Sequence, residues 1–227
     1  MGWKHVQGSG AQASSGSNST LTATFSGAVA SGDLIVVSGA WYAQALGTPT
    51  VSDNVNRINY TYQGPTVASG NQNLGTWYYV TPAGALPGVF AITISAPATG
   101  GAYISMTIDE FNYATRAAYS IDSSGTITQA QATSISLASA LSVTGTDLIY
   151  ASAMIGATGT ASPGPGFTLA YSGNPSLGNC WGIASEYLLS QKSSINPSIS
   201  FSVVALAALN GIAFKAIAPY GAMLLPG

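Results

Sequence analysis

Charge is what this sequence has least of: five Lys+Arg and seven Asp+Glu among 227 residues, or 5% of the chain, against roughly 25% in an average soluble protein. A net charge of -2 leaves no basic face to neutralise a phosphate backbone, which excludes nucleic-acid binding. One histidine, His5, and one cysteine, Cys180, allow no internal disulfide and do not supply the ligands of a zinc site. No cofactor and no metal centre are expected, and most hydrolytic and redox chemistry goes with them. Long apolar runs are also missing. The longest, Val203–Ala218, is broken by Asn210, Gly211 and Lys215 and falls short of the roughly 18–20 residues a membrane helix needs, so no membrane span is expected. No apolar signal segment follows Met1, so a complete chain is not expected to take the ordinary secretory route.

What is present is a chain 47% hydrophobic with a mean hydropathy of +0.32. Its polar coat must come from 30 Ser, 21 Thr and 27 Gly together with Asn and Gln. Such a coat hydrogen-bonds water but repels little, and a net charge near zero favours association. The composition therefore points to a protein that lives in an assembly or outside the cell.

Period-two alternation marks the strands. Leu21, Ala23 and Phe25 alternate with threonines, Ile92 and Ile94 flank Thr93, and Ile104, Met106 and Ile108 are separated by Ser105 and Thr107. Ile199, Phe201 and Val203 alternate with serines, while Leu34–Val37 and Leu148–Ala151 are continuous apolar runs suited to central strands. Pro and Gly punctuate the intervals and leave long helices almost nowhere to form. The fold class is all-β, a single jelly-roll-like β-sandwich.

The two halves resemble each other. Gly32-Asp33-Leu34-Ile35 recurs as Thr146-Asp147-Leu148-Ile149, and Asn59–Gly64 finds an echo in Thr168–Gly173. Trp77–Val80 corresponds to Ser185–Leu188, and Ile108–Phe111 to Ile212–Lys215, at offsets that shrink from 114 to about 104. Two similar, interleaved halves are expected, over residues 20–122 and 141–218, with the Ser/Thr/Gln/Ala stretch Ser123–Ala140 between them. Residues 1–19 read as a flexible amino-terminal arm and 219–227 as an apolar carboxy-terminal tail. Separate halves of about 110 residues are the other arrangement the pattern allows.

The order Gly32–Val37, Val51–Asn54 leading into Asn59-Tyr60-Thr61, Trp77-Tyr78-Tyr79, Ala91–Ser95, Glu110-Phe111, Asp147-Leu148-Ile149 and Ala213-Phe214-Lys215 resembles a widespread β-sandwich module. That module family occurs in phage virion proteins, as decoration or tail components, and in bacterial secreted multidomain proteins. The resemblance covers roughly residues 20–217, through strand and turn signatures of which none is catalytic. The sequence departs from it at Val55-Asn56 after Asp53, and at Asn112-Tyr113 after Phe111. What the resemblance implies is a fold and a virion or extracellular setting, with no activity to carry over.

Chemical sites are few. Asp109 and Glu110 invite a glycosidase reading, but adjacent strand residues face opposite ways and do not converge on one sugar without Glu186 or Asp122 as a partner. Asp33 and Asp147 each precede an apolar strand, where an Asp side chain bonds nearby backbone N–H groups. Ser52–Asn56 offers oxygen ligands on alternate loop residues, so a calcium ion near Asp53 is weighed against a polar turn. A Ser–His–Asp system would need His5, which reads as unanchored. Trp41, Tyr42, Trp77, Tyr78 and Tyr79 form the densest aromatic group, and exposed coplanar rings there would stack on a glycan. At the carboxyl end Met223, Leu224 and Leu225 are candidates for burial against a neighbouring subunit.

The function expected is non-enzymatic: a structural protein that self-associates on a virion surface as a capsid decoration or tail component of a phage, with itself and another virion structural protein as partners. The alternative is a carbohydrate-binding or adhesive module of a secreted bacterial protein, in an extracellular location with a glycan as ligand.

Overall fold

Alternating apolar and hydroxyl side chains dictate extended chain here, and the computed structural model of the protein is built almost entirely of antiparallel strands. It describes residues 2–13, 20–42, 48–55, 60–67, 72–82, 88–96, 103–114, 118–173 and 182–217. In the first half the strands are β1 (Trp3–Gln12), β2 (Thr20–Thr24), β3 (Leu34–Tyr42), β4 (Thr50–Asp53), β5 (Thr61–Val67), β6 (Gln72–Val80), β7 (Ala91–Ser95) and β8 (Tyr103–Tyr113). The second half contains β9 (Ala118–Ser136), β10 (Asp147–Ile155), β11 (Ala161–Pro163), β12 (Thr168–Gly173), β13 (Gly182–Gln191) and β14 (Ser198–Ile217). No helix occurs among the described residues, so none there is long and apolar enough to cross a membrane.

Both halves follow one plan. In the first, a large sheet of order β1-β8-β3-β6-β5 packs on a small sheet, β2-β7-β4. In the second, β9-β14-β10-β13-β12 repeats the large sheet strand for strand. The small sheet recurs where the start of β14 pairs the end of β9 on one side and β11 on the other. There β9 and β14 pass from small sheet to large without ending, bending at register shifts between Ser200 and Ala207, as strands do when they turn a sandwich corner. The all-β sandwich with two similar halves is therefore present. Among the described residues no ladder joins the halves and no sheet mixes their strands, so the strand sets do not interleave; the halves stack large sheet against large sheet.

Strand pairing also fixes which residues correspond. With Ile35 matched to Ile149, Tyr78 corresponds to Tyr187 and Phe111 to Phe214. The equivalences read from the letters at Trp77–Val80 and Ile108–Phe111 are thus each one residue out.

Because each large sheet is covered on both sides, its central strands are buried on both faces, as the continuous runs at Leu34–Val37 and Leu148–Ala151 require. Ile35, Val37, Trp77, Ile92, Ile94 and Met106 fill the core between the large and small sheets of the first half. Ile149, Ala151, Leu209, Ile199 and Leu137 do the same in the second. Between the halves lie two further apolar clusters, one around Leu34, Val36, Phe111, Leu148, Tyr150 and Phe214, the other around Ala40, Leu74, Met154 and Ile183.

Two expectations about chain organisation are corrected. Residues 3–12 are no flexible arm but β1, an edge strand whose Trp3 is buried, donates its indole N–H to the Thr146 carbonyl at 3.0 Å and its backbone N–H to Ser190 Oγ at 3.0 Å. Glycine in this strand serves close approach: a Cβ on Gly10 would collide with the ring of Tyr171 from the other half. Likewise Ser123–Ala140 is no linker, since residues through Ser136 belong to β9 and pair with β14. Residues 14–19 and the tail 219–227 lie outside the described residues.

Trp3 thus staples the halves together. Replacing it with Ala (Trp3→Ala) is expected to destabilise the protein by about 3–5 kcal/mol, measured by urea unfolding; a change within experimental error would return β1 to the role of a dispensable arm.

Candidate functional site

The face between the halves carries a row of polar side chains across its middle. In the first half Ser38 is the ladder partner of both Thr76 and Thr107; in the second Ser152 is the partner of both Ser185 and Asn210. All six are buried, and the six positions are equivalent in pairs: Ser38 with Ser152, Thr76 with Ser185, Thr107 with Asn210. Asn210 Nδ2 donates to Thr76 Oγ1 at 3.1 Å, and the equivalent Thr107–Ser185 hydroxyls meet at 3.0 Å. Thr76 Oγ1 also meets Ser38 at 3.1 Å and Ser152 at 3.3 Å, and Tyr150 OH reaches Ser38 at 3.2 Å. The halves are therefore related by an approximate two-fold axis through a water-excluded polar layer.

Asp109 and His5 break that symmetry. Asp109 Oδ2 accepts from Ser185 Oγ at 3.1 Å and Thr107 Oγ1 at 3.3 Å, while Oδ1 lies 3.1 Å from His5 Nε2. His5 is stacked on Tyr187, with ring centroids 4.5 Å apart. At the equivalent places the second half has Ile212 and Ile121. His5 is therefore anchored, contrary to the sequence reading. The Ser185 hydroxyl bonds the carboxylate rather than the imidazole and is fully buried. That order does not activate a serine, because a nucleophile must reach the base.

The carboxylates are almost all inside: Asp33, Asp53, Asp109, Glu110, Asp147 and Glu186 are buried, and Asp122 alone is partly exposed. Asp109 and Glu110 face opposite sides of β8, as alternation requires. Glu110 accepts from Gln7 Nε2 and from the Ala30 backbone N–H at 3.1 Å, beside Asp33, whose carboxyl accepts from Asn112 Nδ2. Burial and the neighbouring Asp33 push the Glu110 carboxyl up to about 7, against the hydrogen bonds from Gln7 and Ala30. Glu186 accepts from the Gly164 N–H at 2.7 Å and is pushed up to about 7 by burial. Asp147 meets no donor at either oxygen; burial and the adjacent Asp122 carboxylate raise it to about 7, with Lys215 opposing. Asp122 itself is held low, because hydrogen bonds from Thr144 and the charge of Lys215 outweigh its slight burial. Glu110 fastens the 27–30 loop and Glu186 the turn at Gly164.

Other expected sites are also resolved. Trp41 and Trp77 are buried, with rings 5.9 Å apart and tilted by 47°. Tyr78 packs edge-on against Phe214, and Tyr79 packs against Tyr60. This group, with Tyr42 half-buried at the end of β3, is no coplanar platform. Both faces of its sheet are covered, so the two Trp rings are buried and Tyr78 and Tyr79 are half-buried. Asp53 closes a polar turn, with Oδ1 accepting from the Val55 N–H at 2.8 Å and Oδ2 from Tyr60 OH at 3.3 Å. Among the described residues no three metal-ligating side chains converge. The carboxyls of Asp33 and Asp147 bond no backbone N–H there: Asp33 accepts from Asn112 Nδ2, and Asp147 meets no donor. Met223, Leu224, Leu225 and Cys180 lie outside the described residues.

No family model, curated protein or solved structure matches this chain. Its chemistry is read from its own geometry, and the missed feature is the polar layer. A signal for it existed: Ser38 and Ser152 stand at the same distance after the repeated Asp33 and Asp147.

The raised carboxyls make stability pH-dependent in an unusual direction. Glu110, Asp147 and Glu186 titrate near 7 in the folded chain and near 4 when unfolded, so between those values the folded state binds more protons. Stability is then highest near pH 4–5 and declines as pH rises to 8. The melting temperature is expected to fall by about 5 °C or more over that range, and Glu186→Gln, which keeps an acceptor for Gly164, is expected to shallow the decline. A melting temperature that rises with pH would contradict these assignments.

Proposed function

We propose that this protein is a structural, self-associating β-sandwich of a phage virion surface, a capsid decoration or tail component that works by contact rather than catalysis. The observation that carries the reading is the disposal of charge: six of seven carboxylates are turned inward. Apart from Asp122, Lys4, Lys192, Lys215 and the part-exposed His5, the described surface is uncharged, made mainly of hydroxyl, amide and apolar groups, with Val6, Val89, Val204 and Ile217 exposed. Neighbouring copies can bury such a surface without desolvating ions, which is the largest cost of polar contacts. Of these carboxylates Glu110 and Glu186 fasten loops, Asp53 closes a turn and Asp109 joins the polar layer. The resemblance to virion β-sandwich modules supports the same setting, with another virion structural protein as the surface on which copies assemble.

Light scattering of the purified chain over a wide concentration range tests this. A discrete oligomer or a filament is expected; a mass of 22.8 kDa at every concentration would overturn self-association.

A further inference from the structure

Resting on the self-association proposed above, we infer that the contact between copies is made by the open edge of β9, which pairs antiparallel with β9 of a second copy about a two-fold axis at Thr126. Among the described residues the backbone of β9 is laddered on one side alone, to β14, while the side chains of Asp122, Ser123 and Ser124 bond Thr144, Ser142 and Gln63. Its central stretch, Ser123–Gln129, runs in unbroken register against Ala207–Ala213 and contains no charge and no proline. It is flanked by register shifts at Asp122 and at Ala130-Gln131, which confine flat, template-ready backbone to these seven residues.

The other open edges of the large sheets are each blunted. β1 carries Lys4 and His5 and a bulge between His5 and Gln7. β5 has Pro65 and a register shift beside it, and β12 is six residues long with a shift between Leu169 and Tyr171. Lysine, proline, bulges and shortness are the devices that keep strand edges apart; beyond its bulge β1 offers the six residues Gln7–Gln12, two of them glycine, and Ser123–Gln129 is the longest large-sheet edge stretch that lacks all of them.

The occupant follows from self-complementarity. Pairing about Thr126 sets Ser123 opposite Gln129, Ser124 opposite Thr128 and Gly125 opposite Ile127. The strand's one charge, Asp122, falls opposite Ala130 rather than its own copy, so no like charges meet. Side chains keep their faces, the large sheets of two molecules become one continuous sheet, and the contact closes as an isologous dimer.

Thr126 is exposed and sits opposite itself on the axis, so Thr126→Lys and Thr126→Glu each place like charges in direct opposition there. In light scattering the wild-type mass is expected to halve in each variant alone and to recover when the two variants are mixed. A dimer that persists in both variants would overturn the β9 edge while leaving self-association standing, and loss without recovery on mixing would overturn the pairing at Thr126. A monomeric wild type would overturn both this inference and the function it rests on.

Discussion

A row of six buried hydroxyl and amide side chains, Thr107, Ser38 and Thr76 facing Asn210, Ser152 and Ser185, decides how the two halves of this molecule meet. Apolar faces stack in many registers at similar free energy, because the hydrophobic effect has no direction. Hydroxyls removed from water do not, since each must find a partner or cost about 1–3 kcal/mol. The layer therefore selects the one stacking in which Thr76 meets Asn210 and Ser185 meets Thr107, and the apolar clusters on either side close around it.

The same economy governs the charges. Asp109 extends the layer toward the surface through His5, and Trp3 on the same strand ties into the second half at Thr146. Glu110 and Glu186 reach loops whose backbone N–H groups have no strand partner. Carboxylates used inside are lost from the surface, which leaves an outer face of neutral polar groups and a β9 edge without a repelling charge. Interior specificity and a sparsely charged exterior are thus two consequences of one distribution of very few ions.

The strands with a strong apolar period were legible: β2, β3, β7, β8, β10 and the start of β14 stand where alternation or continuous apolar runs placed them. The duplication was legible too, in Asp33-Leu34-Ile35 and Asp147-Leu148-Ile149. β1 was not, because its glycines serve close packing against Tyr171 and read as flexibility in isolation. β9 was missed because an edge strand with one wet side needs few large apolar residues. The sheet-to-sheet face escaped because Ser and Thr at alternate positions are also what a solvent-facing strand would carry. For the same reason Trp41 and Trp77 passed for a glycan platform: alternation separates two faces and cannot show that both are covered.

The most direct test of the polar layer is the equilibrium unfolding of Thr76→Val. The substitution preserves side-chain shape and removes the hydroxyl that meets Ser38, Ser152 and Asn210. A loss of about 1–3 kcal/mol is predicted, because buried partners are left unpaired. Unchanged or increased stability would contradict the claim that these hydroxyls set the register of the two halves.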